Sequence, residues 1–186
     1  MAPTKVSKRA ILQRGEKVFI RALTADDGPE WISLNRASRE LHKGWLSPLT
    51  TQTQFKQYLR DDKAEDKFTL LVCLNSDGAI VGSVGLSQMS YGSFCSCYMG
   101  YAVGAPYASQ GYMTEGLHLV LKHAFGKLKL HRVEANIQPE NKVSIALVKR
   151  VGFQREGYSP GYLKIAGRWC DHERWAMVKE DFKIKF

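Results

Sequence analysis

Residues 108–128 read ASQGYMTEGLHLVLKHAFGKL, a glycine-pivoted turn that runs straight into an amphipathic helix. Met113, Leu117, Val120, Leu121, Ala124 and Leu128 recur at spacings of three and four and so share one helical face. Just upstream, residues 97–103 (CYMGYAV) have the aromatic and β-branched content of a strand, and Pro106 forbids its continuation. A strand, a short loop with Gly111 and a helix start leave free backbone N–H groups at the positive end of a helix dipole. That is an anion site by construction, with phosphate its usual occupant. A single glycine can equally serve nothing but a positive φ. Neither of the better-known phosphate loops is present, since no Gly-x4-Gly-Lys-Ser/Thr occurs and no Gly-x-Gly-x-x-Gly opens a helix.

The rest of the chain surrounds this unit with alternating strands and helices. Residues 17–23 read as a first strand. Asp26 or Asp27 then caps a helix reaching about Ala37, with Pro29 tolerated in its first turn. Residues 41–49 (LHKGWLSPL) read as a loop, and residues 50–60 as a second helix with Phe55 and Leu59 on one face. Residues 68–74 and 79–89 form a hairpin around Asn75-Ser76-Asp77-Gly78. After the central helix, residues 131–138 alternate cleanly. Val133, Ala135 and Ile137 point one way, and Arg132, Glu134, Asn136 and Gln138 the other. Asn141 caps a further helix that stops at Gly152. Residues 153–158 and 168–178 close the chain as strands separated by SPGYLKIAG. No repeat or linker divides this order, which predicts one domain over 16–186 behind a basic tail at 1–15.

Composition narrows the class. Hydrophobic residues at 44% and charged ones at 24% exclude global disorder. No apolar run approaches membrane-spanning length and the first residues lack a signal-peptide core, so a soluble cytoplasmic protein with no membrane partner is expected. The net charge of +9 suits polyanions such as ribosomes, RNA or phosphorylated cofactors. Part of that charge is the tail, where Lys5, Lys8, Arg9, Arg14 and Lys17 face Glu16 alone. Cys73, Cys95, Cys97 and Cys170 lack the paired spacing of a metal site, so no metal is expected, and no Gly-x-Ser-x-Gly elbow marks a catalytic serine.

Four segments taken in order resemble the Gcn5-related N-acetyltransferase (GNAT) superfamily, and more narrowly its ribosomal-protein-alanine (Rim-type) branch: GSFCSCYMGYAV, YASQGYMTEG, HRVEANIQPENKVSIALVKRVGF and EGYSPGYLKIAGRWCDHERWAM. The resemblance covers roughly residues 16–182. It implies an α/β (α+β) acyl-CoA N-acyltransferase fold, a mixed, mostly antiparallel sheet of about seven strands flanked by about four helices. It also implies acetyl-coenzyme A as co-substrate, held by Tyr101, Ala102 and Val103 of the strand, by Ala108, Ser109, Gln110, Gly111, Tyr112, Met113 and Thr114 of the turn, and by Asn141. Against the family's Arg/Gln-x-x-Gly-x-Gly/Ala loop only Gly111 matches. Ala108 and Met113 depart, which backbone N–H ligands tolerate.

The implied chemistry is direct attack of a neutral amine on the acetyl thioester, which needs a base and a proton donor for the thiolate. The tyrosine that several relatives carry on the last helix is Val148 here, and Ser144 resembles the branch's alternative donor. Ser144 is equally a helix-start serine. Glu134 is the favoured base, or else a carboxylate paired to Arg132. Glu115 reads as dipole compensation. Tyr112, Tyr158, Tyr162 and Trp169 are candidates to line the acceptor groove, or core aromatics. The implied acceptor is a protein N-terminus, that of a ribosomal protein, taken by a monomer or weak dimer. A small-molecule amine acetyltransferase is one alternative. Another is a ribosome- or RNA-associated factor with weak catalysis, to which Ala108, Met113, Val148 and the basic tail point.

Overall fold

The computed structural model describes residues 10–183. Strand β1 (Ile11–Arg14) turns at Gly15 into β2 (Val18–Ala22), and helices α1 (Gly28–Ala37), α2 (Arg39–His42, a single turn) and α3 (Gln52–Asp61) follow. Then come β3 (Phe68–Leu74), β4 (Ile80–Ser90), β5 (Ser96–Val103), α4 (Tyr112–Gly126), β6 (Arg132–Ile137), α5 (Lys142–Val151), β7 (Gln154–Ile165) and β8 (Arg168–Val178). The strands form one sheet in the order β1-β2-β3-β4-β5-β6-β8-β7. Every neighbouring pair is antiparallel except β5 and β6. This is the mixed sheet that the sequence implies, with eight strands and five helices in place of about seven and four.

The extra strand, β1, takes residues 11–14 out of the expected tail; residues 1–9 lie outside the described ones. What fixes it is a contact a hundred positions away. The carboxylate of Glu115 is buried and accepts from Lys17 N–H at 3.0 Å and Val18 N–H at 3.4 Å. A Cβ on Gly15 would lie 2.0 Å from that carboxylate, so the turn needs glycine. Glu115, in the first turn of α4, therefore also holds a hairpin, a role beyond dipole compensation. At the far edge β7 runs on to Ile165, through the segment expected to separate the last two strands. Pro160 and Gly161 sit within a register shift between Ser159 and Leu163, an arrangement an edge strand accommodates. The turn falls at Ala166 (φ 47°) and Gly167 (φ 85°), the left-handed pair of a tight hairpin.

Alternation divides the sheet into two faces. Val18, Ile20, Leu70, Val72, Val84, Leu86, Cys97, Met99, Val133 and Ala135 pack under α4 and α5 in the larger core. Trp31, Ile32, Phe55, Leu71, Cys73 and Ile80 form a smaller core under α1 and α3. On that second face Arg21 donates to both oxygens of Asp27 at 2.8 and 2.7 Å, with both residues buried. Burial pushes the Asp27 carboxyl up, but the Arg21 guanidinium and the Thr24 N–H and hydroxyl outweigh it and hold it below its ordinary value. The pair ties β2 to the start of α1.

Asp27→Ala leaves a buried guanidinium uncompensated and is expected to cost about 3–5 kcal/mol, measured by urea unfolding at pH 7. Because the folded carboxyl titrates below its unfolded value, its contribution is full at neutral pH. It is lost as pH falls through the folded value, so the wild-type and variant stabilities converge in acid.

Candidate active site

Strands β5 and β6 are registered only where Ser96, Cys97 and Tyr98 lie beside Arg132, Val133 and Glu134. Beyond that point β6 keeps β8 as its partner through Ile137, and β5 keeps β4 through Val103. The last residues of β5 thus present one backbone edge to a gap in the middle of the sheet. At the mouth of the gap the chain passes Ser109 (φ 62°) and Gly111 (φ 82°), both left-handed, into the start of α4. Gly111 offers no side-chain cap, so the first N–H groups of α4 are left for another acceptor.

The residues singled out for a coenzyme A gather along this gap. Tyr101, Ala102 and Val103 form the free edge, and Asn141 starts α5 with its side-chain oxygen accepting from Ser144 N–H at 3.1 Å. Ala108, Ser109, Gln110, Gly111, Tyr112, Met113 and Thr114 form the turn and first helical residues. The departure at Met113 has a physical account. Its side chain is buried against the larger core, so its N–H, and not its size, faces the turn. Gln110 donates to the Pro106 carbonyl at 2.7 Å, within the loop itself.

Ser144 lies opposite the free edge. Its Oγ is 2.5 Å from the hydroxyl of Tyr101, whose pKa burial pushes up to about 12. Val148, by contrast, is fully buried in the core. Glu134 stands where the strands part, beside Tyr98 in register and on the α1/α3 face. One of its oxygens accepts from Arg132 Nε at 2.8 Å, and Arg132 also pairs with Glu156. The paired alternative for Glu134 is thus the observed state, with Oε1 engaged and Oε2 free of any such bond. Behind it Tyr98 is hydrogen-bonded to Tyr162, which together with partial burial pushes its hydroxyl up to about 12. Asn136 Nδ2 lies 3.5 Å from the Tyr162 hydroxyl. Tyr162 therefore belongs to this cluster. Trp169 is exposed on the β7–β8 hairpin, as is Tyr158, which bonds Asp171, and Tyr112 packs edge-on against Tyr107 at the phosphate-side turn.

Sequence reasoning missed the strap that closes the gap on the α1/α3 face. Ala105 N–H donates to Ser38 Oγ at 2.8 Å, His42 Nε2 lies 2.9 Å from the Val103 carbonyl, and Gln138 Nε2 donates to the Gly44 carbonyl at 3.0 Å. Residues 38–44 therefore bridge from the end of β5 to the end of β6. A carbonyl only accepts, so His42 carries its proton on Nε2, and burial lowers its pKa and keeps the ring neutral. No spacing in residues 41–49 signals this contact, because its partner lies sixty-one positions on.

A second feature of the same face is a cleft of about 420 Å³ bounded by Tyr58, Asp61 and Asp62 of α3 and its end, with Thr69, Ser83, Gly85, Ser87, Gly100 and Ala102 as its floor. It opens beside the free edge of β5. Among the described residues no group of three or more His, Cys, Asp or Glu side chains could hold a metal ion, and all four cysteines are free. No described helix is long and apolar enough to cross a membrane.

A sheet split beside an uncapped helix start, with a hydroxyl pair across the split, defines an acyltransferase that takes an extended acyl carrier with phosphates at one end. The acetyltransferase (GNAT) domain matches residues 17–154, and the chain belongs to that family. Over 176 residues it is 28% identical to the probable N-acetyltransferase YjcK of Bacillus subtilis, covering 90% of this chain and 97% of that protein. It is 38% identical to the [ribosomal protein uS5]-alanine N-acetyltransferase of Escherichia coli over 103 residues, a match spanning 55% of this chain and 53% of that protein. The solved structure of Mycobacterium smegmatis RimJ in complex with CoA-disulfide superposes with a TM-score of 0.82 at 27% identity, covering 90% of this chain and 85% of that one. The chain is an N-acetyltransferase with acetyl-coenzyme A as co-substrate. The unpaired edge of β5 and the uncapped N-terminus of α4 fit the carrier's amide groups and its phosphates.

Gly111→Ala puts a Cβ on a left-handed residue, a strain of about 1–2 kcal/mol. Calorimetric titration with coenzyme A is expected to show binding weakened by roughly 5- to 30-fold, with the fold intact because that Cβ meets nothing within 4 Å.

Proposed function

We propose that this enzyme acetylates the N-terminal α-amino group of a protein, with a ribosomal protein beginning in alanine as the acceptor. The observation that carries this reading is the state of the base. The carboxylate at the parting of the strands, Glu134, is already held by Arg132 on Oε1 and has Oε2 left for an acceptor. Such a site is suited to an amine that needs little help to lose its proton. An α-amino group has a reference pKa of about 7.7–8.0 against about 10.4 for lysine, so at pH 7 roughly one terminal amine in ten is neutral but fewer than one lysine in a thousand. The name of the Escherichia coli relative, an alanine N-acetyltransferase of ribosomal protein uS5, supports the same acceptor.

The residues divide the work as follows. Glu134 Oε2 takes the proton of the incoming ammonium, with Arg132 fixing the carboxylate. The amine nitrogen forms its bond to the acetyl carbon, the carbon–sulfur bond breaks, and the electron pair leaves on sulfur. The Ser144 hydroxyl, in contact with the Tyr101 hydroxyl, passes its proton to the thiolate. Burial pushes the Tyr101 hydroxyl up to about 12, so the pair stays neutral. Between ammonium and amide the nitrogen loses two protons: the first passes through Glu134 to solvent, and the second, lost from the adduct, offsets the proton that Ser144 passes to sulfur.

Turnover of acetyl-coenzyme A on a peptide beginning with alanine tests the reading, against the same peptide blocked at its terminus and carrying an internal lysine. The free terminus is expected to be the substrate, and acetylation confined to the blocked lysine peptide would overturn the proposal. Ser144→Ala is expected to lower kcat by about 10²-fold or more with coenzyme A binding unchanged. Glu134→Gln is expected to slow turnover at pH 7 and to recover as pH rises past about 8, where the α-amine deprotonates without a base.

A further inference from the structure

The cleft on the α1/α3 face holds a carboxylate, Asp62, that forms no ion pair among the described residues. Alternation sends Leu70, Val84, Leu86 and Met99 into the core under α4, and the residues left to floor the cleft are Thr69, Ser83, Gly85, Ser87, Gly100 and Ala102. A Cβ on Gly100 would meet nothing within 4 Å, and one on Gly85 would meet only the Tyr58 hydroxyl at 3.7 Å. The space exists because side chains are missing from its floor, and it runs up to Tyr101 and Ala102 at the free edge.

Asp62 stands half-buried in the wall. Its Oδ1 accepts from the Thr69 hydroxyl at 2.5 Å, and that hydroxyl lies 2.8 Å from the Tyr58 hydroxyl. Burial pushes the Asp62 carboxyl up, while the Thr69 bonds and the charge of Lys67 draw it back. Among the described residues no cation stands within ion-pair distance of it. Lys67 is the one cation among the lining residues, and Asp61 beside it adds a second negative charge whose hydrogen bond comes from Gln57. The contrast with Asp27 is informative. Asp27 is met by Arg21 and the buried Glu115 by two backbone N–H groups, whereas the half-buried Asp62 takes the Thr69 hydroxyl and has no ion pair among the described residues.

We propose that this cleft is an acceptor subsite that receives a positive charge carried next to the reacting amine, with Asp62 as its counter-charge and Tyr58 and Leu46 against the alkyl stem. The chemistry recognised is a primary amine whose carrier bears a second cation: a protein N-terminus followed by Lys or Arg, or a linear polyamine. The inference rests on the reading above that Glu134, which stands on this face, takes the proton of the acceptor amine, and it adds a selection which that reading does not contain.

The test compares kcat/KM for three peptides that begin Ala-Arg, Ala-Gln and Ala-Glu and are otherwise identical, together with spermidine as a free triamine. Wild type is expected to favour Ala-Arg over Ala-Glu by tenfold or more, mostly through KM. Asp62→Asn keeps an oxygen for the Thr69 hydroxyl and is expected to remove most of that preference while leaving Ala-Gln turnover and coenzyme A binding as they were. Gly85→Leu fills the floor and is expected to raise KM for every acceptor, with coenzyme A binding again unchanged as evidence of an intact fold. Equal use of Ala-Arg and Ala-Glu by wild type, with no response to Asp62→Asn, overturns the inference while N-terminal acetylation stands. Refusal of all peptides with turnover of spermidine that Asp62→Asn weakens keeps the subsite and overturns the protein acceptor. Turnover of neither class overturns both.

Discussion

A strand inside a sheet normally satisfies both of its backbone edges, and β5 does so only up to Tyr98. From there β6 continues against β8 along its whole length, from Arg132 beside Val178 to Ile137 beside Glu173. Its other edge, toward β5, is unpaired beyond Glu134, and β5 is left with β4 alone. Leaving buried backbone groups unmet costs about 1–3 kcal/mol each, so an opening of this kind persists only if something else meets them. The chain meets one of them itself, through His42 at the Val103 carbonyl. The rest of the edge is what a substrate with amide groups of its own can satisfy. The opening is therefore at once a local weakness of the sheet and the reason the protein binds an extended acyl carrier.

The two faces of the sheet then take different parts. The α4 face carries the larger core, the uncapped start of α4, and α5 with Ser144 against the Tyr101 hydroxyl, so it is the side on which the proposed mechanism places the carrier and the proton donor. The α1/α3 face carries Glu134, the Tyr98–Tyr162 pair, the strap at residues 38–44 and the cleft floored by glycines and serines, so it is the side from which an amine can come. Residues that alternate along a single strand supply both faces: in β6, Val133 and Ala135 seal the core while Arg132 and Glu134 face the opening. A shift of one residue in that register would exchange the two sets and abolish the core and the site together.

That alternation is why β6 was legible from sequence, as were the amphipathic α4, the Asn141 cap and the hairpin at Asn75–Gly78. Each is fixed by residues close together in the chain. The features that were not legible depend on contacts between distant segments. Strand β1 exists because Glu115 binds the turn that follows it. The end of β7 was hidden by Pro160 and Gly161, residues that break a central strand but are absorbed by bulges at an edge. The strap and His42 lie in a stretch with no period at all. Asp62 has no local signal in the polar stretch after α3, and only the folded sheet brings it to one cleft with Gly85 and Gly100. Tyr101 was visible as part of the binding strand, but its hydroxyl contact with Ser144 spans forty-three positions.

That last contact bears on how the proton donor is arranged. Several relatives in the resemblance carry a tyrosine at the position of Val148, yet here that side chain is sealed in the core, where an unpartnered hydroxyl would be costly. Tyr101 brings a phenol to the same helix from the neighbouring strand and delivers it one turn earlier, onto Ser144. Burial pushes the tyrosine up to about 12 and either hydroxyl can donate to the other; in the proposed mechanism the serine, small and free to rotate, turns its proton toward the sulfur. A donor built this way needs no tyrosine on α5, and the valine there counts as packing rather than as a lost catalytic group.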